Sequence, residues 1–308
     1  MNQKRKKTKV GIVVEYNPFH NGHIFQLNWI KEHFPNSKII IAMSHKYSQR
    51  GEIICLSFRQ RFKIAKKYGV SKAIKLPVEI SAQAAHIFAS QAVLKLNKAR
   101  IDYLVFGSET ADVELFLKIA KLIKENKAEY NKLVKKYLKE KGNSFPRATN
   151  LALQELSGEN ISLPNDILGL EYVKTIVEEN LDIKPIAIKR TVGFHAEKPN
   201  ESFASATYLR KAISENQDVS KYTPVQLKKL KRKRLIENTY PKFQKIIKNS
   251  TPEQLRKYKM ISEGIENLFI KNIDKPNYEE FIASCVSKRY TASRIKRTYL
   301  FVLLKIKK

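Results

Sequence analysis

Cysteine is scarce in this 308-residue chain: Cys55 and Cys285 are the only two, far apart and outside any Cys-x-x-Cys or Cys/His cluster. That pattern argues against a disulfide framework and against a zinc site. Long uncharged apolar runs are missing too, so no stretch has the length and composition of a membrane-spanning helix. The N-terminal Lys4-Arg5-Lys6-Lys7-Thr8-Lys9 leads into a β-branched run instead of a signal-peptide core, which predicts a cytoplasmic protein. Acidic residues are the third shortage. Against 59 Lys+Arg there are 29 Asp+Glu, a formal net charge of +30.

Such a surplus of cations points to a polyanionic partner, because clustered Lys and Arg gain affinity by releasing condensed counterions from nucleic acid. A composition rich in lysine, isoleucine and asparagine also follows from nucleotide bias in a genome, so the position of the charge says more than its sum. The apolar content of 43% fills a core, and the length suits one large domain plus a smaller one.

The chain is organised around Val10-Gly11-Ile12-Val13-Val14-Glu15-Tyr16-Asn17-Pro18-Phe19-His20-Asn21-Gly22-His23. Val10 to Val14 reads as a buried strand and Asn17-Pro18 as a turn. Ile24, Leu27, Trp29 and Ile30 then recur at roughly helical spacing, which places His20 and His23 in the first helical turn on one face. The free N–H groups and partial positive charge at that end suit a phosphate, and Gly22 permits close approach to the backbone. Two histidines three apart are by themselves more often surface residues. The order strand, Asn-Pro turn, His-Asn-Gly-His, amphipathic helix resembles the HIGH signature of the nucleotidyltransferase superfamily, in which the two histidines hold the ATP phosphates.

Further along, strands are expected at Lys38–Met43, Ala73–Pro77, Ile101–Phe106 and Ile183–Ile188, alternating with helices, which implies an α/β doubly wound parallel sheet. The polar loop Ser44 to Glu52, ending Gln49-Arg50-Gly51-Glu52, falls over the carboxyl edge where such a sheet takes its ligand. Ser57 is expected to cap the helix Phe58–Tyr68, on which Arg59 and Arg61 read as solvated or RNA-facing. Helices are also expected over Ser81–Leu96, Asp112–Lys141, Ala148–Leu156 and Ile167–Glu179. Gly107 at a strand end admits a base or ribose. Asn165 is either a helix cap or a contact to an adenine edge. Lys189 and Arg190, at the carboxyl edge of the last strand, are placed for phosphate.

Gly193-Phe194-His195 opens a polar segment, after which Ala204 to Arg210 offers Ser205, Thr207 and a helix start as a second anion site, with Arg210 beside it. Two such helix N-termini, far apart in sequence, are what a two-sided grip on a triphosphate needs. From about Glu215 strand–helix alternation weakens. Lys228-Lys229-Leu230-Lys231-Arg232-Lys233-Arg234 is a dense basic run, and Lys288 to Lys308 holds eight Lys/Arg and no acid. There Ile295, Tyr299 and Val302 fit a core-facing stripe, with Arg289, Arg294, Lys296 and Arg297 outward, a helix with a cationic face suited to RNA.

Taken together, these blocks resemble the bacterial tRNA(Met) cytidine acetate ligases over most of the chain. The resemblance rests on the opening segment, Gln49 to Glu52, Phe106-Gly107-Ser108-Glu109, Pro164 to Tyr172, Ile188-Lys189-Arg190 and Ala204 to Arg210. In the C-terminal part Ser262 to Asn267 and Lys288 to Ile295 carry it. It implies a Rossmann-like ATP-binding domain of the HIGH type over residues 1–214 and a basic, mainly helical tRNA-binding region over 215–308. It also implies an enzyme that activates acetate as acetyl-adenylate and transfers the acetyl group to the wobble cytidine of elongator tRNA(Met). By that analogy Val10 to His23 wraps ATP, with Gly107, Asn165 and Arg190 completing the nucleotide site. His20 and His23 hold phosphates, and Lys189, Ser205, Thr207 and Arg210 add contacts. Lys288, Arg289, Arg294 and Arg297 are the expected RNA contacts. Mg²⁺ is expected on the triphosphate, held by phosphates and water since no paired carboxylates suggest a dedicated metal site. No membrane and no DNA partner are expected. Members of the family commonly extend beyond the Lys-Arg-Tyr-Thr segment, so a shortened C-terminal lobe is expected here.

Two rivals stay open on the residues alone. One is another HIGH-type adenylyltransferase with a small phosphorylated acceptor, which has little use for a basic tail. The other is a non-catalytic RNA-binding protein, which has no reason to keep His20, His23, Arg190 and the Ser-Ala-Thr segment together.

Overall fold

Strands form at β1 (Lys9–Val14), β2 (Lys38–Ser44), β3 (Val70–Leu76), β4 (Tyr103–Ser108) and β5 (Lys184–Lys189). All pair in parallel in one sheet of order β3-β2-β1-β4-β5. The computed structural model describes residues 7–140, 142–190, 201–226 and 235–308. Lys4-Arg5-Lys6, Gly193-Phe194-His195 and the basic run 228–234 lie outside the described residues. The central strands are apolar on both faces, as a covered parallel sheet requires, with Val10, Ile12, Ile41, Ala42 and Val105 at or near zero exposure. Gly11 has a packing reason, since a Cβ there would meet Ile101 Cδ1 at 2.5 Å.

Between the strands run α1 (Asn21–His33), α2 (Phe58–Lys67), α3 (Val78–Ser81) and α4 (Ala85–Lys98). After β4 come α5 (Val113–Glu125), α6 (Lys127–Lys139), α7 (Phe145–Ser157) and α8 (Pro164–Glu178), and α9 (Ala206–Ser214) follows β5. One face of the sheet carries the core shared with α4, α5 and α8, and the other the core shared with α1 and α2. Strand order reverses between β1 and β4, and a doubly wound sheet opens its ligand crevice at that switch.

Two expected helices are divided. The stretch 112–141 breaks at Asn126, whose side-chain amide and backbone N–H both bond Leu122 O at 3.0 Å and so end α5. The stretch 81–96 breaks after Ser81, where Gln83 turns its amide back to Glu79 O at 3.0 Å. Ser57 caps α2 as expected, in a reciprocal pair with Gln60.

The C-terminal helices are α10 (Tyr240–Lys248), α11 (Pro252–Arg256), α12 (Ile265–Asn272), α13 (Tyr278–Cys285) and α14 (Ala292–Leu303). They bury a separate aromatic core in which Phe243 stacks on Tyr299 with centroids 4.0 Å apart and Phe281 packs against both. Ile295, Tyr299 and Val302 face this core, as their spacing predicts. Tyr47 and Ala82 from the sheet region join it, so the helical region rests on the loop after β2 and on the α3–α4 turn. Residues 219–225 pack the other way: Thr223 Oγ1 donates to Phe19 O at 2.6 Å and Val225 is buried in the α1–α2 core.

Candidate active site

At the end of β1 the chain must turn sharply to start α1. Tyr16 takes a left-handed conformation (φ 53°) and the Asn17-Pro18 peptide is cis. Asn17 is buried and its Oδ1 accepts from Cys55 N at 2.9 Å, which ties the turn to the loop after β2. His20 then stands at the N-cap of α1, one step earlier than a first-turn residue. Its Nδ1 accepts from Gly22 N at 3.1 Å, while His23 Nδ1 accepts from His20 N at 3.1 Å. The two histidines thus form the capping box of α1, with their rings stacked 3.8 Å apart.

This arrangement fixes their chemistry. A neutral imidazole that accepts at Nδ1 carries its proton at Nε2, so each ring offers one N–H donor directed away from the helix backbone. Burial, then Arg190 and Arg210, push the His20 pKa down to about 3. Burial, then His20 and Arg190, hold His23 well below the ordinary histidine value. Both are therefore neutral hydrogen-bond donors at physiological pH, and positive charge comes from the arginines.

Arg190 leaves β5 with its N–H on Ser108 O at 3.0 Å and its side chain across Gly107, where a Cβ would lie 3.4 Å from Arg190 Cγ. Asn165 is not a cap. It lies inside α8, and its amide donates to Glu109 Oε1 at 2.6 Å while its backbone N–H reaches Glu109 Oε2 at 3.1 Å. Glu109, just past β4, satisfies the start of α8 in place of a cap. Asp166 in turn accepts from Glu109 N at 2.8 Å and from the Ser108 hydroxyl.

The second helix start forms as expected. Ser205 caps α9, its Oγ accepting from Tyr208 N at 3.0 Å. Arg210 bridges the two motifs, with Nη1 on Asn17 O at 3.0 Å and Nη2 on Thr207 Oγ1 at 3.2 Å.

His20, His23, Gly107, Asn165, Lys189, Arg190, Ser205, Thr207 and Arg210 all line one cleft of about 1240 Å³. From the opening segment Val13 to Asn17 and Gly22 line it as well. Val10, Gly11, Ile12, Pro18, Phe19 and Asn21 do not; they build the strand and turn that aim the others. Among the described residues no group of three or more His, Cys, Asp or Glu stands together as a metal site.

Two expectations about arginines are overturned. Arg61, read as solvated, has zero exposure. Its guanidinium donates to Leu56 O (3.1 Å), Glu15 O (2.5 Å), Ser44 O (2.7 Å) and His45 O, clamping the carboxyl ends of β1 and β2. The signal was present in the spacing, since Arg61 and Ala65 lie one turn apart on the buried face of α2. The outward cationic face of α14 is also corrected. Arg297 is buried, Arg294 is half-buried and Lys296 pairs with Glu52 at 3.2 Å; Lys288 and Arg289 alone of the expected RNA contacts are exposed. The cause is the Gln49-Arg50-Gly51-Glu52 loop. It lies on α14, where Gly51 (φ 84°) has no room for a Cβ, which would meet Arg297 N at 2.9 Å. Arg289, Arg294 and Arg297 therefore line the same cleft as the histidines, and Lys288 does not. The residue missed as a site former is Gln83, which joins this loop to the expected Glu15: Gln49 N donates to Glu15 Oε1 at 2.6 Å and the Gln49 amide to Gln83 O at 2.7 Å.

Known proteins resemble this chain over nearly its whole length. The HIGH Nucleotidyl Transferase family model matches residues 7–308. A tRNA(Met) cytidine acetate ligase of Mycoplasmopsis synoviae is 62% identical over 98% of this chain and 99% of its own length. One of Caldicellulosiruptor saccharolyticus is 36% identical over 96% of this chain and 76% of its own. The crystal structure of Thermotoga maritima TmcAL bound with alpha-thio ATP superposes with a TM-score of 0.87 at 31% identity, covering 98% of this chain and 76% of that one. Relatives of two lengths thus exist, and this chain matches the shorter kind over almost all of their length.

Proposed function

This chain belongs to the HIGH nucleotidyl transferase family and, within it, to the tRNA(Met) cytidine acetate ligases, and from that premise we propose how its residues carry out the ligase reaction. It is an ATP-dependent ligase that activates acetate as acetyl-adenylate and acetylates the wobble cytidine of elongator tRNA(Met). The observation that supports this reading best is the meeting of two capped helix starts, the α1 histidines and the α9 Ser205, with Arg190 and Arg210 in one cleft.

In the first step an acetate oxygen attacks the α-phosphorus of ATP, and the bond to the β-phosphate bridging oxygen breaks as pyrophosphate leaves. Charge shifts from the α-phosphate to the leaving group, so fixed donors aimed at those oxygens lower the barrier more than any nucleophilic side chain. The Nε2–H groups of His20 and His23 serve the phosphates without ever changing protonation. Arg190, Lys189 and Arg210 add charge, and Ser205 and Thr207 hold the outer phosphates at the start of α9. Gly107 and Asn165 border the nucleoside. In the second step the N4 amine of cytidine attacks the acetyl carbonyl, AMP leaves, and the amine loses a proton.

Mg²⁺ would enter this site as a companion of the triphosphate, whose charge it would neutralise, since no carboxylate cluster among the described residues would hold it. Lys288 and Arg289, exposed in the turn before α14, are proposed tRNA contacts. Residues 215–308 form the tRNA-binding side of a division at 214/215, joined to the nucleotide side through 219–225, which pack back against the turn into α1. No helix among the described residues is long and apolar enough to cross a membrane. We place the reaction in the cytoplasm, where ATP, acetate and tRNA meet, with no DNA partner. Incubation with labelled acetate, ATP and unmodified tRNA, followed by nucleoside analysis, tests the reading. N4-acetylcytidine confined to elongator tRNA(Met) is expected; AMP formation without acetate dependence would overturn it.

A further inference from the structure

Arg297 of α14 is 7% exposed. Burying a guanidinium is costly unless a counter-ion or a full set of acceptors meets it. Its Nη1 donates to Gln83 O at 3.1 Å and, more weakly, to Gln49 O at 3.5 Å. Among the described residues its Nε is buried with no hydrogen-bond partner. Burial and the like charge of Arg294 lower its pKa to about 10, and no carboxylate offsets them. The nearby acids are engaged elsewhere: Glu52 pairs with Lys296, and Glu15 accepts from Gln49 N and answers to the charges of Arg210, Glu52 and Arg61. Arg294, one turn before, donates to Ser262 Oγ at 3.0 Å and has a buried Nε without a partner as well. Both arginines line the cleft. Two neighbouring guanidiniums with unfilled donors, neither in an ion pair among the described residues while Glu263 beside them pairs with Arg289 at 3.5 Å, make a preformed anion site.

The position of this site narrows the anion. Arg297 bonds Gln49, Gln49 bonds Glu15, and the next residue, Tyr16, sets its ring edge-on to His23 with centroids 4.7 Å apart. The site thus borders the phosphate end of the cleft. ATP phosphates have their own donors on α1, β5 and α9. A tRNA phosphodiester cannot approach a side chain this buried without displacing the loop that Gly51 lays over α14. The cleft volume of about 1240 Å³ exceeds the roughly 300–1,000 Å³ common for a single small ligand, which leaves room for a second one. A planar carboxylate matches the guanidinium fork.

We propose that Arg297, with Arg294 beside it, binds the carboxylate of the small monocarboxylic acid substrate and so forms the acyl pocket. This rests on the ligase reading above. The pair neutralises acetate as it nears the triphosphate, so that one carboxylate oxygen can attack the α-phosphorus while pyrophosphate departs with the bonding electrons; neither arginine gains or loses a proton.

The test is acetate-dependent ATP–pyrophosphate exchange by the full chain. Because a charged hydrogen bond is removed, Arg297→Met should raise the acetate KM about tenfold to a hundredfold, with the ATP KM within about twofold of wild type. Arg297→Lys keeps the charge and one carbonyl contact, and should fold normally with an intermediate acetate KM. If Arg297→Met does not fold, Arg297→Lys decides alone. Free guanidinium, well below denaturing concentration, should restore part of the exchange lost in Arg297→Ala. Acetate should raise the wild-type Tm above that in equimolar chloride, and this difference should shrink in Arg297→Lys and vanish in Arg297→Met. Equal shifts of the acetate and ATP KM values, no shift in either, or weakened tRNA binding with an unchanged acetate KM would overturn the assignment. If acetate dependence is absent already in the wild type, the ligase reading falls with it; a wild type that needs acetate beside unshifted variants removes only the acyl pocket.

Discussion

Two buried arginines, Arg61 on α2 and Arg297 on α14, have opposite degrees of satisfaction. Arg61 on α2 has Nε and both Nη atoms on four carbonyl oxygens. Arg297 on α14 has Nη1 on carbonyls and an Nε with nothing. Burial lowers the pKa of each to about 10, yet only Arg61 has weak favourable charges, from Cys55 and Glu15, to offset it. Deep burial of a cation therefore does not decide its role; the count of unfilled donors does. Arg61 belongs to the scaffold that aims Glu15 and the turn to α1, whereas Arg297 belongs to the site.

The largest expected effect tests the scaffold half of that comparison. Arg61→Met leaves the carbonyls of Glu15, Ser44, His45 and Leu56 buried without their donor, and should cost on the order of 3–5 kcal/mol in urea unfolding. Arg297→Met strands fewer acceptors and relieves an uncompensated charge, so its loss should be no more than about 1–2 kcal/mol. Equal losses would erase the distinction. Next in size, His23→Ala removes an Nε2–H donor and half of the α1 capping box. Adenylate formation should fall about 100- to 1000-fold, the effect typical of a lost transition-state donor, while tRNA binding in a filter assay is retained. Parallel loss of both would make the histidine pair structural.

A smaller effect separates the exposed cations from the buried one. Replacing Lys288 and Arg289 by alanine should weaken tRNA binding and reduce the slope of log K against log salt by about one for each phosphate no longer neutralised. Pyrophosphate exchange should be unchanged, the reverse of the pattern for His23→Ala.

The sheet, its helices and the phosphate grip were legible because their signals are local. β-branched runs, the Asn-Pro turn and the Ser205 cap each act within a few residues, and the alternation that implies a parallel sheet is a sum of such signals. The burial of Arg61 and Arg297 was not legible in the same way. Composition treats an arginine as a surface group; spacing with Ala65 hints that Arg61 shares the buried face of α2, but the partners that fix each guanidinium lie 16 to 248 residues away, Ser44 and His45 for one and Gln49 and Gln83 for the other. Asn165 was ambiguous for the same reason. Its partner Glu109 lies 56 residues away on another turn.

Neutral histidines and charged arginines share the cleft, and pH separates them with little effect on rate. His20 has its folded pKa lowered from 6.5 to about 3, first by burial, then by Arg190 and Arg210. The unfolded chain therefore binds a proton to this group between about pH 6.5 and 3 that the folded chain does not, so stability must rise with pH across that window and fall on acidification. Full stabilisation is present above about pH 6.5, and acidification from there removes it progressively. His23 shifts the same way, and the pair titrates as a unit because the rings are stacked. Urea midpoints should thus drop between pH 7.5 and 5.5. Over the same range acetate-dependent pyrophosphate exchange should show no inflection near 6.5, since both histidines are already neutral and the arginines stay charged. An inflection at that pH, abolished in His23→Gln, would mean that a charged imidazole takes part, and would move the source of positive charge from the arginines to the α1 cap.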